Sequence, residues 1–112
     1  MKKSPMEKAT ETGIGAIAIS RCNHIGRLGE YAEQAAARGF ASLVTIGLTG
    51  PGIGGAAPFG GTGRLMGTNP WAFGIPTDGE FPIVADFATT VVAEGKIHVA
   101  QSKAAPLAPG CI

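Results

Sequence analysis

Apolar residues recur at helical spacing in one segment of the chain. Between Leu28 and Arg38 they share one face of a helix, while most polar side chains fall on the other face. Gly39 follows at the place where glycine commonly ends a helix. The spacing therefore predicts a helix over residues 28–38, with an apolar face made of Leu28, Tyr31, Ala32, Ala35 and Ala36.

Capping patterns predict two further helices. The run Ser4-Pro5-Met6-Glu7 combines an N-cap serine, a proline in the first helical position and a glutamate that closes a capping box. Gly13 ends that short helix. A last helix is predicted to begin with Thr89 or Thr90 as its N-cap and to run to about Lys103.

Segments rich in alternating or β-branched residues predict four strands. They cover residues 14–20, 42–47, 71–75 and 82–86. The first strand, the helix after it and the second strand predict a βαβ-like unit. The last two strands form either a hairpin or neighbours in a mixed sheet. The expected fold class is α/β, a mixed sheet with flanking helices.

Composition narrows the classes of function. The chain has 112 residues with 18 glycines and 8 prolines, which predicts one small domain with long irregular segments such as residues 49–63. The formal charge is +1 and is scattered, which argues against nucleic acid as a partner. No apolar run is long enough to span a membrane, so no membrane partner is expected. Cys22 and Cys111 lie far apart and no metal-ligand spacing occurs, which predicts free thiols, no metal and a cytoplasmic location.

His24 is the strongest candidate for chemistry. It follows a predicted strand and precedes a helix, a position at which α/β proteins form ligand crevices. A neutral imidazole there can exchange a proton or bind a cofactor. It can equally serve only to satisfy backbone groups in the turn.

The run from Asp86 to Thr90 is a second candidate. It lies at a strand end before a predicted helix, where backbone N–H groups and hydroxyls can hold a phosphate or a ribose. The alternative is a helix cap with a satisfied aspartate. Lys96 can place a positive charge near a carboxylate substrate, or it is solvated surface. The glycines of residues 52–57 lack the pattern that opens a Rossmann helix.

These motifs together resemble the second family of malate/L-lactate dehydrogenases, which is unrelated to the Rossmann-fold dehydrogenases. The resemblance runs from about Met6 to the end of the chain, and His24-Ile25-Gly26-Arg27 is similar to its hydroxycarboxylate dehydrogenase branch. The matching segments are residues 22–32, 57–61, 65–76, 86–90, 93–97 and 106–112.

The resemblance implies a non-Rossmann dinucleotide-binding fold and an enzyme that interconverts 2-oxo and 2-hydroxy acids with NAD or NADP. It also implies a homodimer. The implied catalytic residues are His24 and Lys96, although some relatives carry aspartate at the position of Lys96. The implied cofactor-binding residues are His24, Ile25, Gly26, Arg27, Leu28, Thr68, Asp86, Phe87 and Ala88.

Members of the family are much longer, and their amino-terminal part carries a Ser/His pair and an arginine that binds the substrate carboxylate. Residues 1–112 are therefore expected to be a partial, incomplete NAD(P)-binding domain without the amino-terminal catalytic and carboxyl-terminal parts. Such a chain is expected to be inactive alone. The alternative is a non-catalytic nucleotide-binding or assembly module.

Overall fold

A computed structural model describes residues 3–48 and 54–111, and in these residues it contains three helices and one three-stranded sheet. The helices are α1 (Pro5–Thr12), α2 (Leu28–Ala36) and α3 (Glu94–Ser102). The strands are β1 (Ser42–Thr45), β2 (Trp71–Ile75) and β3 (Ile83–Phe87). In the described part of the chain, no helix is long and apolar enough to cross a membrane.

The predicted capping box at the start of α1 is confirmed. The Glu7 N–H donates to Ser4 Oγ at 3.2 Å, and the Ser4 N–H donates to the Glu7 carboxylate at 2.6 Å. Gly13 ends the helix with a left-handed φ of 81°, a conformation that glycine adopts without a steric cost. The bond from Ser4 lowers the pKa of Glu7 because it favours the ionised carboxylate.

Helix α2 begins at the predicted residue and closes through the predicted glycine. The Gly39 N–H donates to the Ala36 carbonyl at 2.9 Å, and the Phe40 N–H donates to the Ala35 carbonyl at 3.0 Å. With Gly39 at a φ of 80°, these two bonds form a Schellman motif. The α-helical bonding pattern ends at Ala36 because the last turn is tightened by this motif.

The sheet has the order β1-β2-β3, and both pairs of strands are antiparallel. One face packs against α2, where Leu28, Ala32 and Ala72 form the buried core and Val44 and Val84 lie beside it. The strand predicted at residues 71–75 is confirmed, and those at 42–47 and 82–86 are confirmed with shifted ends. The last two strands pair antiparallel, as in the predicted hairpin rather than in a mixed sheet.

The other face of the sheet is exposed, and we call it the open face. Its large apolar side chains are Leu43, Trp71, Phe73, Ile75, Ile83 and Phe87, each between 37% and 62% exposed. Trp71 and Phe73 lie 5.9 Å apart between ring centroids, and Phe73 and Phe87 lie 6.2 Å apart. The described residues therefore cover one face of the sheet and leave the other face exposed.

The predicted strand at residues 14–20 is wrong. These residues are irregular, and Ile14, Ile17 and Ile19 are 81%, 61% and 69% exposed. A strand needs a neighbouring backbone to accept and donate its ladder bonds, and the described chain provides none here. The predicted βαβ-like unit is consequently wrong as well, and the sheet formed by the described residues is antiparallel rather than mixed.

The predicted start of the last helix is also wrong, although its end near Lys103 is confirmed. Helix α3 begins after Ala93, which offers no side-chain cap. Thr89 Oγ1 instead donates to the carbonyls of Thr68 and Asn69, each at 3.1 Å. Thr90 Oγ1 donates to a carbonyl two residues later. Neither threonine is the N-cap, because the helix begins several residues after them.

Of the long loop predicted at residues 49–63, residues 49–53 lie outside the described part of the chain. The rest is irregular, apart from an isolated antiparallel bridge between Ala56 and Met66. This bridge brings two segments of the glycine-rich stretch side by side.

Candidate functional site

Three of the candidate segments meet where β3 ends. Asp86 Oδ2 accepts a hydrogen bond of 2.7 Å from the backbone N–H of Gly29 in the first turn of α2. Three residues after Asp86, the N–H and Oγ1 of Thr89 donate to the Thr68 carbonyl at 3.0 and 3.1 Å. The end of β3 thus joins the start of α2 on one side and the segment before β2 on the other.

Asp86 caps α2 from a distant part of the chain. The residue before this helix, Arg27, makes no side-chain capping bond, so the first N–H groups of α2 need another acceptor. The carboxylate of Asp86 supplies it and also places negative charge at the positive end of the helix. A Cβ at Gly29 would lie 3.3 Å from the Asp86 Cβ and 2.6 Å from an Arg27 nitrogen, so glycine permits this close approach.

The turn that carries His24 is held by two hydrogen bonds. His24 Nδ1 accepts from the Gly26 N–H at 3.0 Å, and the hydroxyl of Tyr31 donates to the Ile25 carbonyl at 2.6 Å. Gly26 has a φ of 86°, which few other residues would tolerate. The Nδ1 contact matches the interpretation in which His24 satisfies the backbone. Its Nε2 has no hydrogen-bond partner among residues 3–48 and 54–111.

Arg27 is held by Glu33 through two parallel bonds of 3.0 and 2.7 Å. This pairing, with a smaller contribution from the charge of Asp86, raises the pKa of Arg27. The same bonds lower the pKa of Glu33. Both side chains are about half-exposed, so solvent screens the pair. For Arg27 to bind an added anion, it would have to share or leave the carboxylate of Glu33.

Phe87 is the last residue of β3 and Ala88 follows it, and the two lie in different environments. The Phe87 ring stacks on Phe73 and lies on the open face, whereas Asp86 faces α2 because side chains alternate along a strand. Ala88 is half-buried between these residues and Thr89. The three consecutive candidates therefore lie in three different surroundings.

A cleft of about 640 Å³ lies beside Thr68, between the glycine-rich stretch and the start of α3. Small residues and hydroxyls form much of its wall, and the charged residues Arg64 and Glu94 also line it. The lining includes Gly55, Ala56, Thr62, Arg64, Gly67, Thr68, Thr89, Thr90, Ile97 and Cys111. A more open depression of about 510 Å³ lies between α2 and the start of β3, bordered by Glu33 and Phe81.

Thr62 and Arg64 line this cleft but were not among the predicted site residues. The signal that could have found them is their position in the glycine-rich stretch, where small neighbours leave room for a ligand. Arg64 makes no ion pair within the part of the chain that the structure describes.

The side chain of Lys96 does not contact the other candidate residues through any hydrogen bond or ion pair in the described part of the chain. It lies on α3 and is exposed. Its neighbour Ile97 lines the cleft.

The two cysteines, Cys22 and Cys111, are free thiols as predicted. In residues 3–48 and 54–111, no group of three His, Cys, Asp or Glu side chains could hold a metal ion.

Comparison with known proteins decides the family. The family model described as malate/L-lactate dehydrogenase matches residues 2–112. The chain belongs to the malate/L-lactate dehydrogenase family. It is 43% identical over 107 residues to hydroxycarboxylate dehydrogenase B of Escherichia coli (strain K12), a match that covers 96% of the chain.

Other members of the malate/L-lactate dehydrogenase family carry a different activity in their names. The chain is 41% identical over 93 residues to a Δ1-pyrroline-2-carboxylate reductase of Agrobacterium fabrum, covering 83% of the chain and 26% of that protein. The crystal structure of Δ1-piperideine-2-carboxylate reductase from Pseudomonas syringae superposes with a TM-score of 0.77 at 32% identity, covering 92% of the chain and 30% of that structure.

The matches cover only part of these malate/L-lactate dehydrogenase relatives. The chain spans 29% of the length of the Escherichia coli hydroxycarboxylate dehydrogenase B. The relatives are oxidoreductases by name. The part that matches this chain is one portion of a longer polypeptide in each of them.

Proposed function

We propose that the chain forms the dinucleotide-facing part of an NAD(P)-dependent oxidoreductase that interconverts 2-hydroxy acids and 2-oxo acids. The observation that carries the proposal is the match to the malate/L-lactate dehydrogenase family over residues 2–112. The proposal includes the non-Rossmann fold, a small-molecule acid as substrate, a cytoplasmic location and a homodimer of the full-length enzyme.

The cleft beside Thr68 supports the proposal of a dinucleotide site. The cleft of about 640 Å³ falls within the range of roughly 300–1,000 Å³ that small-molecule sites occupy. Its threonine hydroxyls keep lone pairs that can accept bonds from ribose hydroxyls, and Arg64 offers a cation to a phosphate. Gly67, which lines the cleft, has a backbone so close to Leu48 that a Cβ there would lie 3.2 Å from the Leu48 Cβ.

In the mechanism that we propose, residues 25–28, Thr68 and residues 86–88 would hold the dinucleotide, which when bound would supply hydride for C2 of the 2-oxo acid. His24 supplies the proton that the reduced oxygen needs. Because Nδ1 of His24 accepts from the Gly26 N–H, the proton of the neutral ring lies on Nε2. To donate from Nε2 and end as a neutral ring, His24 must first take up a second proton on Nδ1, which breaks its contact with Gly26. Lys96 remains our candidate for the cation near the substrate carboxylate. Arg27 and Leu28 remain candidates for contact with the cofactor.

A second candidate reaction is the reduction of a cyclic imine that carries a carboxylate. The names of the Agrobacterium fabrum and Pseudomonas syringae relatives favour it. The chemistry differs from that of a 2-oxo acid only in the acceptor, because hydride goes to C2 of a C=N bond rather than of a C=O bond. The proton then goes to nitrogen.

Dinucleotide binding is the first test. NADH and NADPH are titrated into the purified chain and binding is followed by the fluorescence of the nicotinamide. We expect saturable binding that His24→Ala weakens, while His98→Ala, the matched histidine on α3, leaves it unchanged. Absence of binding to both dinucleotides, or equal losses in the two variants, would contradict the proposal.

Turnover is the second test. We expect the 112 residues alone to show little or no reduction of 2-oxo acids, because the family's substrate-binding arginine lies in its amino-terminal part. Grafting the chain in place of the matching portion of the Escherichia coli hydroxycarboxylate dehydrogenase B is expected to give an active enzyme that His24→Ala inactivates. Comparing a 2-oxo acid with Δ1-pyrroline-2-carboxylate then separates the two reactions. Dinucleotide binding without any turnover in the graft would favour the non-catalytic module.

A further inference from the structure

The peptide group between Ile25 and Gly26 is hydrogen-bonded at both ends. Its carbonyl oxygen accepts from the Tyr31 hydroxyl at 2.6 Å, and its N–H donates to His24 Nδ1 at 3.0 Å. Within residues 3–48 and 54–111, no other hydrogen bond reaches either end of this peptide. Two hydrogen bonds that share one amide therefore connect Tyr31 to His24.

These two bonds run in one direction. The phenol of Tyr31 donates, the amide accepts at its oxygen and donates at its nitrogen, and the imidazole of His24 accepts. A donor at the carbonyl oxygen polarises the amide, which strengthens the bond that its N–H makes. Because the bond at one imidazole nitrogen decides which nitrogen carries the proton, a stronger bond to Nδ1 favours the neutral tautomer with the proton on Nε2.

Tyr31 donates to this turn from a packed element. It lies in the first part of α2, whereas His24 and Ile25 precede the helix. Helix α2 packs on the sheet through Leu28 and Ala32, which belong to the buried core. The hydroxyl of Tyr31 therefore anchors an exposed turn to the part of the molecule that is best packed.

We propose that Tyr31 is a positioning residue, which acts through the peptide between Ile25 and Gly26 to hold His24 in the tautomer whose Nε2 carries the proton. His24 is exposed, and its Nε2 has no hydrogen-bond partner within the described ranges. This N–H is thus available to a carbonyl oxygen, such as that of a nicotinamide carboxamide or a 2-oxo acid. The statement about the ligand rests on the proposed function, whereas the statement about the tautomer does not.

Histidine NMR tests the tautomer directly. Long-range 1H–15N spectra distinguish the ring nitrogen that carries the proton from the one that does not. In alkaline buffer, where imidazole is neutral, we expect His24 to be chiefly in the tautomer with the proton on Nε2. In Tyr31→Phe, we expect the share of the other tautomer to rise at least twofold. The signals of His98, on α3, are expected not to move.

Gln34→Ala is the matched control variant. Gln34 is also an exposed residue of α2, but its side chain donates to Glu30 on the same helix rather than to the turn. We expect it to leave the tautomers of His24 unchanged. Because Tyr31 is 42% exposed, the loss of its hydroxyl is not expected to unfold α2, which circular dichroism checks.

A second measurement uses the unchanged chain and does not depend on how Tyr31→Phe folds. We expect a scalar coupling across the hydrogen bond between the Gly26 nitrogen and His24 Nδ1. A His24 that lacks this coupling and carries its proton on Nδ1 would overturn the proposal.

The ligand is tested by titrating NADH into the chain and into both variants, followed by the fluorescence of the nicotinamide. Tyr31→Phe is expected to weaken binding by about two- to tenfold, the effect of roughly one neutral hydrogen bond. Gln34→Ala is expected to bind as the unchanged chain does. Unchanged affinity in Tyr31→Phe, despite a changed tautomer, would overturn the statement that the Nε2 proton meets the dinucleotide.

Two further outcomes separate this proposal from the proposed function. The same His24 tautomers in the unchanged chain and in Tyr31→Phe, or an equal change in Gln34→Ala, would overturn the positioning role of Tyr31. A tautomer that changes only in Tyr31→Phe, in a chain that binds no dinucleotide, would support that role and count against the proposed function instead.

Discussion

Asp86 acts in the structure as a cap for α2, because its carboxylate accepts the hydrogen bond of the Gly29 N–H. We expect Asp86→Ala to lower the free energy of unfolding by about 1–2 kcal/mol, the usual cost of losing a helix cap. Asp86→Asn keeps an acceptor oxygen and is expected to recover part of this loss. Urea unfolding followed by circular dichroism measures both.

Asp78→Ala is the control for this prediction, since Asp78 is an exposed residue of the turn between β2 and β3. Its substitution is expected to change the stability little. A loss for Asp86→Ala no greater than that for Asp78→Ala would show that the bond from Gly29 contributes nothing.

The sequence predicted the capping role of Ser4 but left that of Asp86 open between a ligand contact and a satisfied aspartate. The difference is physical. Ser4 and Glu7 are three residues apart, so the pattern itself contains both partners. The partner of Asp86 is a backbone N–H on α2, and no residue type marks a backbone group. His24 was ambiguous for the same reason, since Gly26 offers it only an N–H.

Glu7 provides a prediction about pH. Its pKa is lowered in the folded chain by the bond from the Ser4 N–H, so this bond stabilises α1 fully above the usual glutamate pKa of about 4.3. The contribution is lost as the pH falls through the lower folded value. In an NMR titration, the Ser4 amide is expected to shift with a midpoint below about 4.3.

Glu7→Gln is expected to abolish this titration of the Ser4 amide, whereas Glu30→Gln on α2 is expected to leave it intact. A midpoint at or above the usual value would mean that the capping box does not persist in solution.

At the scale of elements, α2 packs very closely on β2. A Cβ at Gly74 would overlap the backbone carbonyl of Ala32 and lie 3.1 Å from the Ala32 Cβ. Gly74→Ala is therefore expected to push helix and sheet apart and to destabilise the chain by about 1–3 kcal/mol. Gly47→Ala, where an added Cβ meets open space, is the matched control.

Thermal unfolding of the two variants measures this difference. Similar midpoints for Gly74→Ala and Gly47→Ala would show that helix and sheet are farther apart in solution than the structure has them.

The strands at residues 71–75 and 14–20 show what local pattern can and cannot predict. In β2 the alternation of Ala72 and Gly74 with larger residues reflects a helix packed on one face, so pattern and structure agree. Residues 14–20 alternate too, but strand formation depends on a hydrogen-bonding neighbour, which no local pattern encodes. The predicted βαβ-like unit was wrong because it depended on this strand. The candidate residues at the end of β3 were instead predicted from several motifs taken together.

At the scale of the whole molecule, the chain is extended for its length. The radius of gyration is 17.0 Å, compared with about 13 Å for a compact domain of similar size. Small-angle X-ray scattering of the monomeric chain, separated by size-exclusion chromatography, should give a value close to 17 Å. A value near 13 Å would mean that the irregular segments fold back onto the sheet.

The bond between Asp86 and Gly29 joins residues 57 positions apart. During synthesis, α2 leaves the ribosome well before β3 exists, so its first turn begins without its acceptor. The helix also lacks the three-stranded sheet against which it packs, and short isolated helices are marginal in water. We therefore expect α2 to become fully helical only once β3 has been made, and its first turn to be frayed on a ribosome stalled before residue 86.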